Sequence, residues 1–162
     1  MIEKVGTTEL VGASIYLLTA DIIKIPKLFL ESILSNQLTS LFIVTSAMDY
    51  LLKYTAYSEE KIQFKKLLLT GEPISEGFIQ LLARRVDANI EVLNLYSAVE
   101  MPYAFAQRIS FNKTTPTSLK LFNLCGSQIA YKIKKNGSNA TNGNIGELVV
   151  ESPVVFSGYL NQ

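Results

Sequence analysis

The sequence has no histidine, a single cysteine at Cys125, and only 18% charged residues among its 162. Without histidine, Ser-His-Asp and Cys-His catalysis are excluded, as is every His-ligated metal site. One cysteine cannot form an internal disulfide or a Cys-based zinc cluster. Fifteen basic residues against fourteen acidic leave a formal charge of +1. That balance gives no electrostatic footprint for nucleic acid or an anionic membrane, so neither is expected as a partner. A long hydrophobic run is also missing: the stretch from Leu10 to Ala20 stops at Asp21 and is too short to span a bilayer. Its flank carries Glu3, Lys4 and Glu9, where a signal peptide requires net positive charge. Asn-x-Ser/Thr triplets begin at Asn112, Asn136 and Asn139; outside the secretory route they read as polar loops. The expectation is a reduced, cytoplasmic chain.

What is present is apolar: 48% of the residues are hydrophobic, against 9 Gly and 5 Pro. Disorder needs the opposite balance. The length suits one domain, or a domain with part of a second. Short apolar runs alternate with amphipathic stretches through the first half. Ala13–Thr19 has the length of a strand. Lys27–Asn36 places Leu28, Leu30, Ile33 and Leu34 near one helical face, with Pro26 suited to the first turn. Ser40–Val44 reads as a buried strand. Ser46 followed by Asp49 resembles a capping box, and Met48, Leu51 and Leu52 supply the stripe of the helix that follows.

The alternation continues. Lys66–Thr70 is a strand ending in Gly71-Glu72-Pro73. A helix from about Ser75 carries Phe78, Ile79, Leu82 and Val86 on one face, and Arg84 and Arg85 in its last turn favour the helix dipole. Glu91–Leu95 is the next strand. This order predicts an α/β fold, a largely parallel sheet with flanking helices. Past Ser110 the texture changes. Ser118–Leu124, Gln128–Lys134 and Glu147–Glu151 are β-like, and the Asn/Gly/Ser stretch from Asn136 to Asn144 is a turn or hairpin tip. The expected division is therefore an α/β part over 1–110 and a β-rich part over 111–162.

Three local patterns could carry chemistry. Thr70-Gly71-Glu72-Pro73 follows a strand, and glycine there lets the backbone approach a ligand at the carboxyl end of a parallel sheet. Asn94-Leu95-Tyr96-Ser97-Ala98-Val99-Glu100 again runs out of a strand. Gly146-Glu147-Leu148 is followed by Gly158-Tyr159-Leu160. Taken singly, each is also what a turn, a cap or a hairpin end looks like.

In this order and spacing the patterns resemble the adenylate-forming enzymes, especially the adenylation domains of nonribosomal peptide synthetases. Leu10–Leu18 is similar to that family's Gly-Ala strand, and Leu38 to Met48 to the strand and helix after it. The resemblance implies a fold ending in part of a small β-barrel-like subdomain, and an activity that joins a carboxylic or amino acid to ATP with Mg²⁺. Such chemistry holds two mutually repelling anions in line, so positioning and charge neutralisation dominate. By resemblance, Tyr96 lies against the adenine, Asn94, Gly71, Glu72 and Val99 border the nucleotide, and Glu100 holds Mg²⁺, for which a carboxylate is a suitable hard ligand. The substrate pocket would fall on Phe42, Leu68, Thr70, Leu95, Tyr103 and Ala104. The acyl group would pass to a thiol, with a carrier-protein domain as a possible partner.

The departures also carry information. The family's Gly-Pro-Thr is Ser97-Ala98-Val99 here, and Val99 lacks the hydroxyl that would bond the phosphate, a loss of about 1.5–3 kcal/mol. The family's phosphate loop, ribose-binding aspartate and catalytic lysine have no counterpart in the sequence. The expectation is an incomplete core segment, inactive as an isolated chain, whose missing parts would be its partners. The rival expectation is a non-catalytic relic or interaction module that keeps the fold.

Overall fold

A computed structural model of the chain describes residues 12–55, 61–109, 121–123, 129–141, 143–153 and 155–159, with 102–104 and 121–123 described as backbone. Leu10, Asn112, Cys125 and Leu160, with Glu3, Lys4 and Glu9, lie outside the described residues.

Helix α1 (Ala20–Lys24) is capped by Thr19, whose hydroxyl accepts the N–H of Ile22 at 3.4 Å. Helix α2 (Pro26–Ser35) opens on proline, whose fixed φ and missing N–H suit a first turn. Strand β1 (Ser40–Val44) leads into α3 (Thr45–Tyr54), then β2 (Lys66–Thr70), α4 (Glu76–Arg85) and β3 (Glu91–Ala98). Ser75 caps α4 by accepting the N–H of Phe78 at 3.2 Å, and Arg84 and Arg85 sit in its last turn as the sequence requires. Strands β1, β2 and β3 pair in parallel, with Val44 opposite Thr70 and Thr70 opposite Leu95.

The sheet then reverses. Strand β4 (Met101–Ile109) runs antiparallel beside β3, and β5 (Leu121–Asn123) antiparallel beside β4. The five-stranded sheet, in the order β1-β2-β3-β4-β5, is therefore mixed: three parallel strands carry the helices and two antiparallel strands extend them. A separate three-stranded antiparallel sheet is built from β6 (Ala130–Lys135), β7 (Ser138–Asn139) and β8 (Glu147–Glu151), in the order β7-β6-β8. Asn136 and Gly137, at φ 50° and 80°, turn β6 into β7, a conformation for which Asn-Gly is the favoured pair. Among the described residues this sheet does not close into a barrel.

The core lies between the parallel strands and the helices. Leu41, Ile43, Leu67, Leu69 and Val92 from the sheet meet Phe29, Ile33, Met48, Leu51, Leu52, Phe78 and Leu82 from the helices. Each such side chain contributes roughly 1.5–3 kcal/mol by leaving water. A smaller cluster of Met101, Phe105 and Ile129 joins the two sheets, with Leu148, Val150 and Val155 packed against it.

Three expectations are corrected. Ala13–Thr19 belongs to no strand; it leads into the Thr19 cap. The buried face of α2 is Phe29 and Ile33, while Leu28 and Leu34 are exposed, because packing against β1 and α3 sets the helix phase. Ser46 is not a cap: Val44 holds that position, Asp49 pairs with Lys53 at 2.5 Å, and the N–H of Ser46 finds its acceptor elsewhere.

Candidate nucleotide and acid site

Parallel pairing brings the carboxyl ends of β1, β2 and β3 to one edge, so the segments beginning at Thr45, Gly71 and Tyr96 are neighbours. Edges of this kind are where open α/β sheets bind ligands. At this edge Gly71 has φ 87°, in the region where a side chain is strained, and a Cβ there would stand 3.6 Å from Cγ1 of Val44. The turn sends Glu72 across to α3, where its Oε2 accepts the N–H of Ser46 at 2.8 Å. The first turn of a helix leaves such N–H groups without internal partners and favours negative charge, so this carboxylate does the work expected of Ser46. Beside it, the hydroxyl of Thr70 donates to the carbonyl of Leu95 at 3.3 Å, tying β2 to β3.

Alternation along β3 puts Asn94 and Tyr96 on one face of the sheet and Leu93 and Leu95 on the other. Asn94 is half-buried, level with Leu69. Tyr96 is half exposed at the strand end, its ring tilted against Phe105 at a centroid distance of 6.3 Å. On the opposite face Phe42 and Leu68 pack with Leu93, Leu95 and Ala106. The structure thus brings Phe42, Leu68 and Leu95 together, with Thr70 one step toward the edge. Residues 103 and 104 lie on β4, and the side chains of Tyr103 and Ala104 are outside the described residues.

Val99 and Glu100 form the tip between β3 and β4, just past a register shift between Tyr96 and Ala98. Val99 is 84% exposed and touches little. Glu100 is held twice by the segment after β8: its carbonyl accepts the N–H of Phe156 at 3.0 Å, and its Oε1 accepts the hydroxyl of Tyr159 at 2.5 Å. The Tyr159 hydroxyl, and then Glu100's own backbone, lower its pKa, so it is ionised at neutral pH. The same bond raises the phenol of Tyr159.

Among the described residues no three acidic, His or Cys groups converge on one point. A cation at Glu100 would therefore take one carboxylate from this region and complete its shell with phosphate and water oxygens, a usual arrangement for Mg²⁺. The ionised, partly exposed carboxylate fits that role. Sequence reasoning missed the partner side of the site. Tyr159 is 59 positions from Glu100, and Ser46 is 26 from Glu72. The Gly-Tyr-Leu motif marked Tyr159 as notable, but nothing local shows what it touches.

Comparison with known proteins gives the same frame. The pattern of the AMP-binding enzyme family matches residues 5–160. The structure of IdnL1 is similar at 17% identity and a TM-score of 0.77, covering 91% of this chain and 30% of that one. O-succinylbenzoate coenzyme A synthetase (MenE) from Bacillus subtilis, in complex with ATP and magnesium ion, is similar at 20% identity and 0.64, over 85% and 28%. Holo-PA1221, a nonribosomal peptide synthetase protein containing adenylation and PCP domains, follows at 15% identity and 0.65, over 85% and 24%. At such identities the likeness shows the fold, and the chain spans under a third of the length of these three structures. No curated protein matches the sequence. With the family pattern running through both sheets and the strand-end edge, the chain belongs to the AMP-binding enzyme family.

Proposed function

We propose that the chain is a segment of the N-terminal core of a ligase that activates an amino or other carboxylic acid with ATP. In that reaction a carboxylate oxygen attacks the α-phosphorus, a P–O bond forms, and the bond to pyrophosphate breaks, leaving an acyl-adenylate. The observation that carries this reading is one edge holding the Gly71-Glu72 turn, the exposed ring of Tyr96 and the ionised carboxylate of Glu100. Tyr96 offers a face for the adenine, and Asn94 with the Gly71-Glu72 backbone borders the nucleotide. Val99 lies beside the phosphates, and Glu100 holds Mg²⁺. When bound, Mg²⁺ supplies neutralisation of phosphate charge. Phe42, Leu68, Thr70 and Leu95, with Tyr103 and Ala104 on β4, line the pocket for the acid's side chain. The acyl group would pass to a thiol, on a carrier-protein domain in a synthetase assembly, in the cytoplasm. The division of the chain falls near residue 110, where the α/β part gives way to the β-rich part.

The segment alone is proposed to be catalytically silent, since the neighbours that share its fold are about three times its length. The test has two readouts. Equilibrium dialysis of the 162-residue chain with ATP and Mg²⁺ is expected to show binding that Tyr96→Ala and Glu100→Ala weaken. Substrate-dependent exchange of pyrophosphate into ATP is expected to stay at the level of the Glu100→Ala control. Binding indifferent to both substitutions would overturn the site assignment, and exchange above that control would overturn the silence. The apolar Val99 favours a second reading, a relic that keeps the fold without the chemistry, which predicts no nucleotide binding at all.

A further inference from the structure

Between β8 and the end of the described chain, a short segment is fastened to the β3–β4 tip by two hydrogen bonds to Glu100. Gly158 has φ 141°, in the region open chiefly to glycine. That turn lets Phe156 and Tyr159 meet edge to face, at 4.7 Å between centroids and 76° between planes. From this paired platform Phe156 takes the main chain of Glu100 and Tyr159 takes its carboxylate. Val155, just before the platform, packs on the Met101–Phe105 cluster, so the segment is anchored to β4 as well.

A glutamate at a hairpin tip has several rotamers open to it, and a cation that needs one of them must select it. We propose that Tyr159 is a positioning residue for cation binding: its hydroxyl occupies Oε1 of Glu100 and fixes the carboxylate so that a divalent ion is met by a preset oxygen. The inference rests on the assignment of Glu100 as the cation ligand, and deepens it by naming what holds that ligand. A hydrogen-bond partner behind a metal ligand commonly changes metal affinity by about 10–100-fold. With both groups at the surface the lower end is expected, about tenfold.

The test is binding of Mn²⁺ in the presence of ATP, read as loss of the free-ion electron paramagnetic resonance signal in the 162-residue chain. Variants are Tyr159→Phe, Phe156→Leu and Glu100→Gln, with a urea melt of each to register folding. Tyr159→Phe is expected to weaken Mn²⁺ about tenfold while leaving the urea midpoint and metal-free ATP binding near wild type. Phe156→Leu keeps the hydroxyl but loosens its platform, and should weaken Mn²⁺ less. If Glu100→Gln abolishes Mn²⁺ binding while Tyr159→Phe does not change it, the positioning role is overturned and the ligand assignment stands. If Glu100→Gln is also without effect, or the wild type takes up no Mn²⁺, both are overturned. A Tyr159→Phe loss matched by an equal loss of metal-free ATP binding would make the contact merely structural and would likewise overturn the proposal.

Discussion

The two faces of the parallel strands are both apolar, yet they are finished differently. On the helix side Leu67, Leu69 and Val92 are wholly buried under α2, α3 and α4. On the other side Phe42 and Leu68 are only partly covered, beside Leu93, Leu95 and Ala106. One face is closed and supplies stability. The other carries Lys66, Glu91 and Arg108, joined in salt bridges, at its far end, and only uncharged side chains toward the strand-end edge where Thr70, Gly71 and Tyr96 lie. The lesson is a division of labour within one strand: in β2, Leu67 and Leu69 serve the closed core, and Leu68 between them, only partly covered, is the residue proposed to meet the acid.

The largest expected effect breaks that contrast from the closed side. Leu69→Ala should lower unfolding stability by about 3 kcal/mol in a urea titration, whereas Leu68→Ala should cost about 1 kcal/mol, because its site is already partly solvated. Equal losses would show that both faces are core. Next comes selectivity in an enzyme that contains this segment. Acids with uncharged, largely apolar side chains should be preferred over Asp, Glu, Lys or Arg by about a hundredfold in kcat/KM, since none of the six residues proposed for the lining carries a formal charge. A substrate screen that favours a charged acid would remove the open face from the site.

At the edge between the faces, Gly71→Ala should cost about 1–2 kcal/mol of stability, for its positive φ. The added Cβ meets Val44 at an ordinary 3.6 Å, so the cost is conformational, and Gly71→Asn, which tolerates that region better, should recover part of it. The smallest effect is at the tip. Val99→Thr should raise activity of the enzyme containing this segment by about tenfold, the low end of the range of about 1.5–3 kcal/mol because the tip is exposed, by returning a hydroxyl near the phosphates. No change would show that exposed Val99 does not face them.

How much of this was legible in the sequence depends on whether the cause was local. Strands β1, β2 and β8 and the helix beginning near Ser75 follow from apolar runs and periodicity, and they stand where the pattern puts them. Ala13–Thr19 has the same composition, but a strand needs a ladder partner, which periodicity cannot supply. Strand β4 is not marked by a local pattern, and Pro102 argues against a strand interior; it sits one residue inside the strand start, next to the tight tip, where a missing N–H is least costly. The strand-end residues of the site were legible as motifs. Their partners were not, since Ser46 with Glu72 and Tyr159 with Glu100 are joined only by the fold.

The β3–β4 tip also bears on the order in which the chain acquires structure. Each parallel crossover, β1 to β2 and β2 to β3, must close about 25 residues before its ladder forms. Strands β3 and β4 are joined by two residues, Val99 and Glu100, and hairpins of that kind close within microseconds, ahead of longer crossovers. A refolding chain would therefore form the corner that carries Glu100 before the sheet beside it exists. Substitutions at the tip should then slow refolding, and substitutions under α4 should mainly hasten unfolding. The turn that presents the carboxylate would be the scaffold on which the parallel strands are later laid.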